Sequence, residues 1–152
     1  MTDLFIPDLF ISGYASRFGE ADLSGDIVQR GAFSASLLTR TEPFPMLFGH
    51  QTVTPIGVWD RVFEDAKGLF VAGRILDAGS TARRLVETRA VSGLSIGYRT
   101  RRSSNRSAGG RILTSIDLWE VSVVAFPMLR SARITQIGDT SETNATHQRR
   151  TA

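Results

Sequence analysis

The sequence predicts an α+β domain, mainly an antiparallel β-barrel with a few short helices, and three observations carry that expectation. The longest strand-like run, Arg111 to Phe126, is closed by Pro127, a residue that cannot donate to a sheet ladder. Two extended segments, Pro55–Phe63 and Gly68–Leu76, are joined by the short turn Glu64-Asp65-Ala66-Lys67-Gly68, the pattern of a β-hairpin. Helical periodicity is confined to two short stretches, so strands must supply most of the layers. A long antiparallel run argues against a doubly wound parallel sheet, and no glycine-rich phosphate loop supports nucleotide chemistry.

Taken in order, Leu9–Phe18 is an apolar segment predicting the first strand. Gly19–Gly31 follows with Asp22, Ser24-Gly25 and Asp26 as turn chemistry. In Ala32–Leu38, Phe33 and Leu37 stand four apart on one face of a short helix, which Pro43 and Pro45 close off. Met46–His50 predicts an apolar strand ending on the first histidine. After the hairpin, Ser80 is the expected cap of a helix carrying Ala82, Leu85, Val86 and Arg89 at helical spacing, with Gly93 as its stop. The last third begins with Val91–Tyr98, in which Gly93 and Gly97 share with Ser95 one face of a strand whose other face carries Leu94, Ile96 and Tyr98. A pleat of strict alternation over Arg111–Phe126 places Glu120 on the stripe of Ile112, Ile116, Leu118 and Val124, with Asp117 on the opposite face. Residues 1–135 form the expected domain. Residues 136–152, rich in Ser, Thr and Gln without apolar periodicity, are the expected disordered tail.

Composition narrows the functional classes. The chain has 152 residues, no cysteine and two histidines, which excludes disulfides and cysteine nucleophiles and leaves little from which to build a metal site. No cofactor is expected. No apolar run reaches the roughly 18 residues of a membrane helix, so a soluble intracellular protein without a membrane partner is expected. The net charge of +3 is unevenly placed: residues 1–98 carry nine basic and eleven acidic groups, residues 99–152 nine and four. Arg99, Arg101, Arg102, Arg106 and Arg111 flank one Ser/Gly-rich segment with no interleaved aromatic to stack on bases, so a solvated hairpin loop is expected rather than a nucleic-acid site.

Three polar residues stand at apolar strand positions or strand ends: His50, Ser95 and Glu120. A serine hydroxyl becomes a useful nucleophile when an imidazole can take its proton, and the imidazole works best when a third group fixes its tautomer. The three residues supply one of each role. Asp117 is the alternative acid and Ser122, on the Glu120 face, the alternative serine; Ser95 also reads as one of many serines that falls near a glycine, His50 as a surface-loop or core histidine, and Glu120 as a carboxylate where its strand leaves the core or pairs with an arginine.

Read together, Gly13-Tyr14-Ala15, Gly25-Asp26-Ile27-Val28, Gly31-Ala32-Phe33, Pro45-Met46-Leu47-Phe48-Gly49-His50, Pro55-Ile56-Gly57, Asp65-Ala66-Lys67-Gly68-Leu69, Gly93-Leu94-Ser95-Ile96-Gly97-Tyr98 and Leu118-Trp119-Glu120-Val121-Ser122-Val123-Val124 follow one another in a family's order. The chain resembles, from about Ile11 to Ile134, the prohead (capsid maturation) serine proteases of tailed phages and of related particles such as gene transfer agents. The resemblance implies a fold similar to the herpesvirus assembly protease, with Ser95 as nucleophile, His50 as general base and Glu120 as third member. That viral relative uses a second histidine as third member, and His147 falls in the expected tail, so a His-Ser-His triad is not expected here. Arg130 and Arg133 resemble positions near the site of the viral relatives. The implied substrates are the major capsid protein and a scaffold segment, inside assembling procapsids in the bacterial cytoplasm, with a homo-oligomer as a further possibility. Many members carry an additional C-terminal region for scaffolding, which is not expected of this chain. The competing expectation is a non-catalytic capsid-assembly or scaffold-binding module of the same fold.

Overall fold

In a computed structural model of the chain, residues 7–76 and 79–138 are described. They form eight strands and two short helices: β1 Leu9–Arg17, β2 Ile27–Val28, α1 Ser34–Thr39, β3 Phe44–Phe48, β4 Gly57–Glu64, β5 Gly68–Ile75, α2 Ser80–Glu87, β6 Gly93–Asn105, β7 Arg111–Val124 and β8 Ile134–Gly138. One sheet contains all eight strands, in the order β2-β7-β3-β4-β5-β1-β8, with β6 on the other edge of β7.

The expected antiparallel barrel is corrected on two points. β2 and β3 run parallel to β7, so the sheet is mixed, and it does not close into a barrel. Its ends approach each other at an isolated bridge between Gly93 and Arg133, with Leu94 N–H donating to Ala132 O (2.9 Å) and Ile134 N–H to Ser92 O (2.8 Å). Parallel pairing between β3 and β7, more than seventy positions apart, is a tertiary choice that leaves no local pattern.

The predicted hairpin is β4–β5. Asp65 turns it by accepting from Lys67 N–H (2.7 Å) and Gly68 N–H (3.1 Å), its side chain doing in the turn what a backbone carbonyl would otherwise do. The inward faces of the sheet meet in a core of Ile11, Met46, Trp59, Leu69, Val71, Leu94, Leu113, Ile116, Val121 and Val123, each at most 1% exposed. Burial of such side chains stabilises by about 1.5–3 kcal/mol apiece. Phe33, just before α1, and Ala82 and Val86 of α2 cover its ends.

Local punctuation differs from the expectation in several places. α1 begins at Ser34, not Ala32. Gly79, not Ser80, occupies the N-cap of α2 and no side chain caps it; a Cβ there would lie 2.7 Å from Ile56 O, so packing selects the glycine. The helix ends at Glu87, with Arg89 in the left-handed region (φ 63°) and Val91 N–H donating to Leu85 O, leaving Gly93 as the first residue of β6 instead of a helix stop. The arginine-flanked loop is mostly strand: Arg99, Arg101 and Arg102 lie in β6 and Arg111 in β7, with only Arg106 in the connection. β8 runs through Gly138, so Gln136, Ile137 and Gly138 belong to the sheet, and the remainder of the expected tail lies outside the described residues.

The strict pleat assigned to β7 also fails. Gly97 faces Glu120 but Tyr98 faces Leu118, so Trp119 is an extra residue, 56% exposed, in a β-bulge. Further shifts occur opposite Arg102. The buried side chains accordingly change stripe along the strand, from Leu113 to Ile116 and Leu118, then to Val121 and Val123. Glu120 is thereby turned off the core stripe that counting alternate residues had put it on.

Candidate active site

The site is built on three adjacent strands, β6, β7 and β3, where β7 is the middle one. Across the β6–β7 ladder Ser95 pairs with Ser122 and Gly97 with Glu120. Directly opposite residues project to the same side of a sheet, so Ser95, Ser122 and Glu120 share one face. On the other edge of β7, Leu47 pairs with Ser122 and Phe48 with Val123, which brings the end of β3 to the same height.

His50 arrives there through a turn. Gly49 and His50 both adopt left-handed backbone, at φ 59° and 61°. That conformation costs nothing special for glycine but is unfavourable for a residue with a Cβ, so it must be held from outside. Gly49 N–H donates to Val123 O (2.9 Å), and His50 N–H donates to the Ser122 hydroxyl (3.0 Å). The turn aims the imidazole at the face carrying Glu120, and Nδ1 contacts Glu120 Oε1 as a hydrogen-bonded pair. The second oxygen, Oε2, accepts from Ser122 Oγ (2.8 Å). The His50 side chain is 44% exposed and that of Glu120 14%, so the carboxylate is the more buried partner of the pair.

Ser95 is 6% exposed, and its Oγ makes no hydrogen bond to the His50 ring among the described residues. The structure therefore brings His50 and Glu120 into contact and sets Ser95 one register step from Glu120, across the ladder from the serine that holds both. The glycines flanking Ser95 do not leave an open floor: a Cβ at 97 would stand 2.8 Å from Cγ and Cδ of Glu120, and one at 93 would stand 2.8 Å from Pro127 Cδ.

The alternative acid is elsewhere. Asp117 pairs in register with Arg99 and lines a separate depression with Ser36, Thr39, Arg101 and Arg102. Arg133 reaches the start of β6, its Nη1 donating to Ser92 Oγ (3.3 Å) and its Nε to Arg130 O (2.9 Å). Ser122, weighed from the sequence as a competing nucleophile, is completely buried and bonded on both sides. Its role was missed; the available signal was its position two residues after Glu120, which returns it to the same face.

Beside Ser95 opens a cavity between β1 and β6, walled by Ala15, Val28, Ile96, Tyr98, Met128 and Leu129, with Glu20, Asp22 and Asp26 at its edge. Burial raises the Tyr98 phenol above its ordinary value, and the charges of Asp22 and Asp26 act in the same direction. No cluster of three metal-ligating side chains occurs among the described residues. No helix among them is long and apolar enough to cross a membrane.

The strand-rich domain matches solved viral proteases in fold. The Kaposi's sarcoma-associated herpesvirus protease, solved with a hexapeptide phosphonate inhibitor, superposes with a TM-score of 0.64 at 20% identity, over 91% of this chain and 68% of that one. The bacteriophage T4 capsid assembly protease superposes with a TM-score of 0.61 at 11% identity, over 78% of this chain and 82% of its own. Sequence makes the assignment specific: residues 7–148 match the model of the caudovirus prohead serine protease family, and the chain belongs to that family. The prohead protease of Enterobacteria phage HK97 is 38% identical over 128 residues, 80% of this chain. The match spans 57% of the length of that relative.

Proposed function

We propose that the chain is a serine endopeptidase of capsid maturation, in which Ser95 is the nucleophile, His50 the general base and Glu120 the residue that orients it. The observation that carries this reading is the Glu120–His50 contact on the strand face that also bears Ser95. A carboxylate bound at Nδ1 keeps that nitrogen protonated in the neutral ring and leaves Nε2 as the base. Nε2 takes the Ser95 proton as Oγ forms a bond to the substrate carbonyl carbon. The resulting imidazolium, steadied by Glu120, returns the proton to the leaving amine as the peptide C–N bond breaks. Water then attacks the acyl-enzyme by the same route, delivering its proton through His50 to Ser95 Oγ as the ester bond breaks. Backbone N–H groups serve as oxyanion donors, and the Arg130–Arg133 segment, bridged to the start of β6 at Gly93, is the adjacent loop able to supply them.

The proposed substrates are the major capsid protein and a scaffold segment within the procapsid, in the bacterial cytoplasm. Family membership and the names of the HK97 and T4 relatives support this. Co-expression of the cognate capsid protein with wild-type and Ser95→Ala chains tests it: the wild type should yield a shortened capsid band and the variant an uncut one. Identical uncut bands would sink the assignment.

A second reading, a non-catalytic assembly module of this fold, draws on the missing Ser95–His50 hydrogen bond. A serine-directed phosphonate separates the two. A mass adduct on Ser95 supports the protease, and no adduct in any assembly state supports the module.

A further inference from the structure

Ser122 lies opposite Ser95 on the neighbouring strand, fully buried, and its hydroxyl is used twice: Oγ accepts from His50 N–H at 3.0 Å and donates to Glu120 Oε2 at 2.8 Å. A hydroxyl is among the few small groups able to accept and donate at one atom, and its single proton is committed here to the carboxylate. One bond holds the His50 backbone in its left-handed turn. The other fixes the rotation of the Glu120 carboxyl so that Oε1 meets the imidazole. Both members of the pair are therefore referred to the same atom on the central strand β7.

We propose that Ser122 is a positioning residue for the His50–Glu120 pair, acting through both partners and not on substrate. This rests on the assignment of Ser95, His50 and Glu120 given above. Removal of the hydroxyl leaves a half-buried Glu120 oxygen without this donor and the His50 N–H without this acceptor, so the carboxyl is free to rotate and the turn to relax. A displacement of about 1 Å in a catalytic group costs on the order of 100-fold in rate. Threonine keeps both bonds and is favoured in strands, whereas valine keeps the shape of threonine and loses both.

The test is the rate at which an aryl phosphonate labels Ser95, read by intact mass, in wild type, Ser122→Ala, Ser122→Val, Ser122→Thr, Glu120→Gln and the Glu120→Gln/Ser122→Ala double variant. The alanine and valine variants should label about ten- to 100-fold more slowly, with the threonine variant within about threefold of wild type. In the Glu120→Gln background the alanine change should add less than about twofold, because the groups act as a unit. Threonine and valine variants of equal rate, or fully multiplicative effects of Ser122 and Glu120, would overturn the proposal. A measurement independent of catalysis guards against a wild type that does not label. With two histidines in the sequence, the Nδ1–H proton resonance of His50 is assignable by comparison with His50→Gln. That resonance should be present in wild type and Ser122→Thr and lost in Ser122→Val; its survival unchanged in Ser122→Val refutes the positioning role. Absent labelling with this pattern intact would count against the protease assignment alone.

Discussion

The Glu120 carboxyl group lies over the Cα of Gly97 on the adjacent strand, in the space where any other residue would carry its Cβ. Gly97 thus makes room for the acid of the site, not for substrate. Gly97→Ala should push Glu120 away from His50 while disturbing little else, since the displaced atoms are the end of a side chain. Activity and phosphonate labelling should fall by about 100-fold, as for an ångström-scale misplacement, while the thermal midpoint changes little. Unaltered labelling would mean that the Glu120 position is not needed.

The proposed roles predict a graded loss. Ser95→Ala should abolish capsid cleavage, and Glu120→Gln, which keeps the shape but presents His50 with the wrong hydrogen-bond partner, should reduce it by up to about 10,000-fold. Asp117→Asn should leave it within about twofold, because Asp117 lines a different depression. Cleavage that is sensitive to Asp117 and indifferent to Glu120 would reverse the assignment of the acid.

Trp59 supports the site from within. Its ring is 1% exposed, and Nε1 donates to Val121 O (3.0 Å), the residue between Glu120 and Ser122. Trp59→Phe removes the donor and leaves a cavity, so it should cost about 2–4 kcal/mol in denaturant unfolding. A change below about 0.5 kcal/mol, the range of neutral surface substitutions, would show that this bond is dispensable.

Asp26 predicts a pH dependence of stability. Its carboxyl is held below the ordinary range, first by the side-chain hydrogen bond from Arg111 (2.8 Å to Oδ2), against the opposing effect of burial, and further by the Arg111 backbone N–H. A carboxyl with a lowered folded-state value stabilises the protein above its unfolded-state value, near pH 4, and loses that contribution as pH falls further. Asp26→Asn should therefore lower the unfolding midpoint at neutral pH and flatten its decline below about pH 4. An unchanged slope in acid would exclude Asp26 as its source.

Asp26 also shows why the hairpin of β6 and β7 is anchored. Arg106 donates to Gly25 O, and Gly110 packs so closely on Gly25 that a Cβ would stand 2.9 Å from its Cα. Arginines that the charge pattern assigned to a solvated loop are thus partly ladder residues and partly clasps. Sequence could not distinguish these fates, because the partner of Arg111 lies 85 positions away.

Several things were set by the sequence alone. Turn chemistry at Asp65, the apolar runs and Pro127 mark the strands, because these effects act within a few residues. The motifs around His50, Ser95 and Glu120 carry the family, since they keep their order along the chain. Tertiary structure decided the parallel pairing of β3 with β7, the failure of the sheet to close, and the bulge at Trp119 that turns Glu120 from the core stripe toward His50. It alone made Ser122 the common partner of His50 and Glu120. The reason is physical: a strand's alternation is legible only until a bulge shifts its phase, and bulges arise from how two strands meet, not from either strand by itself.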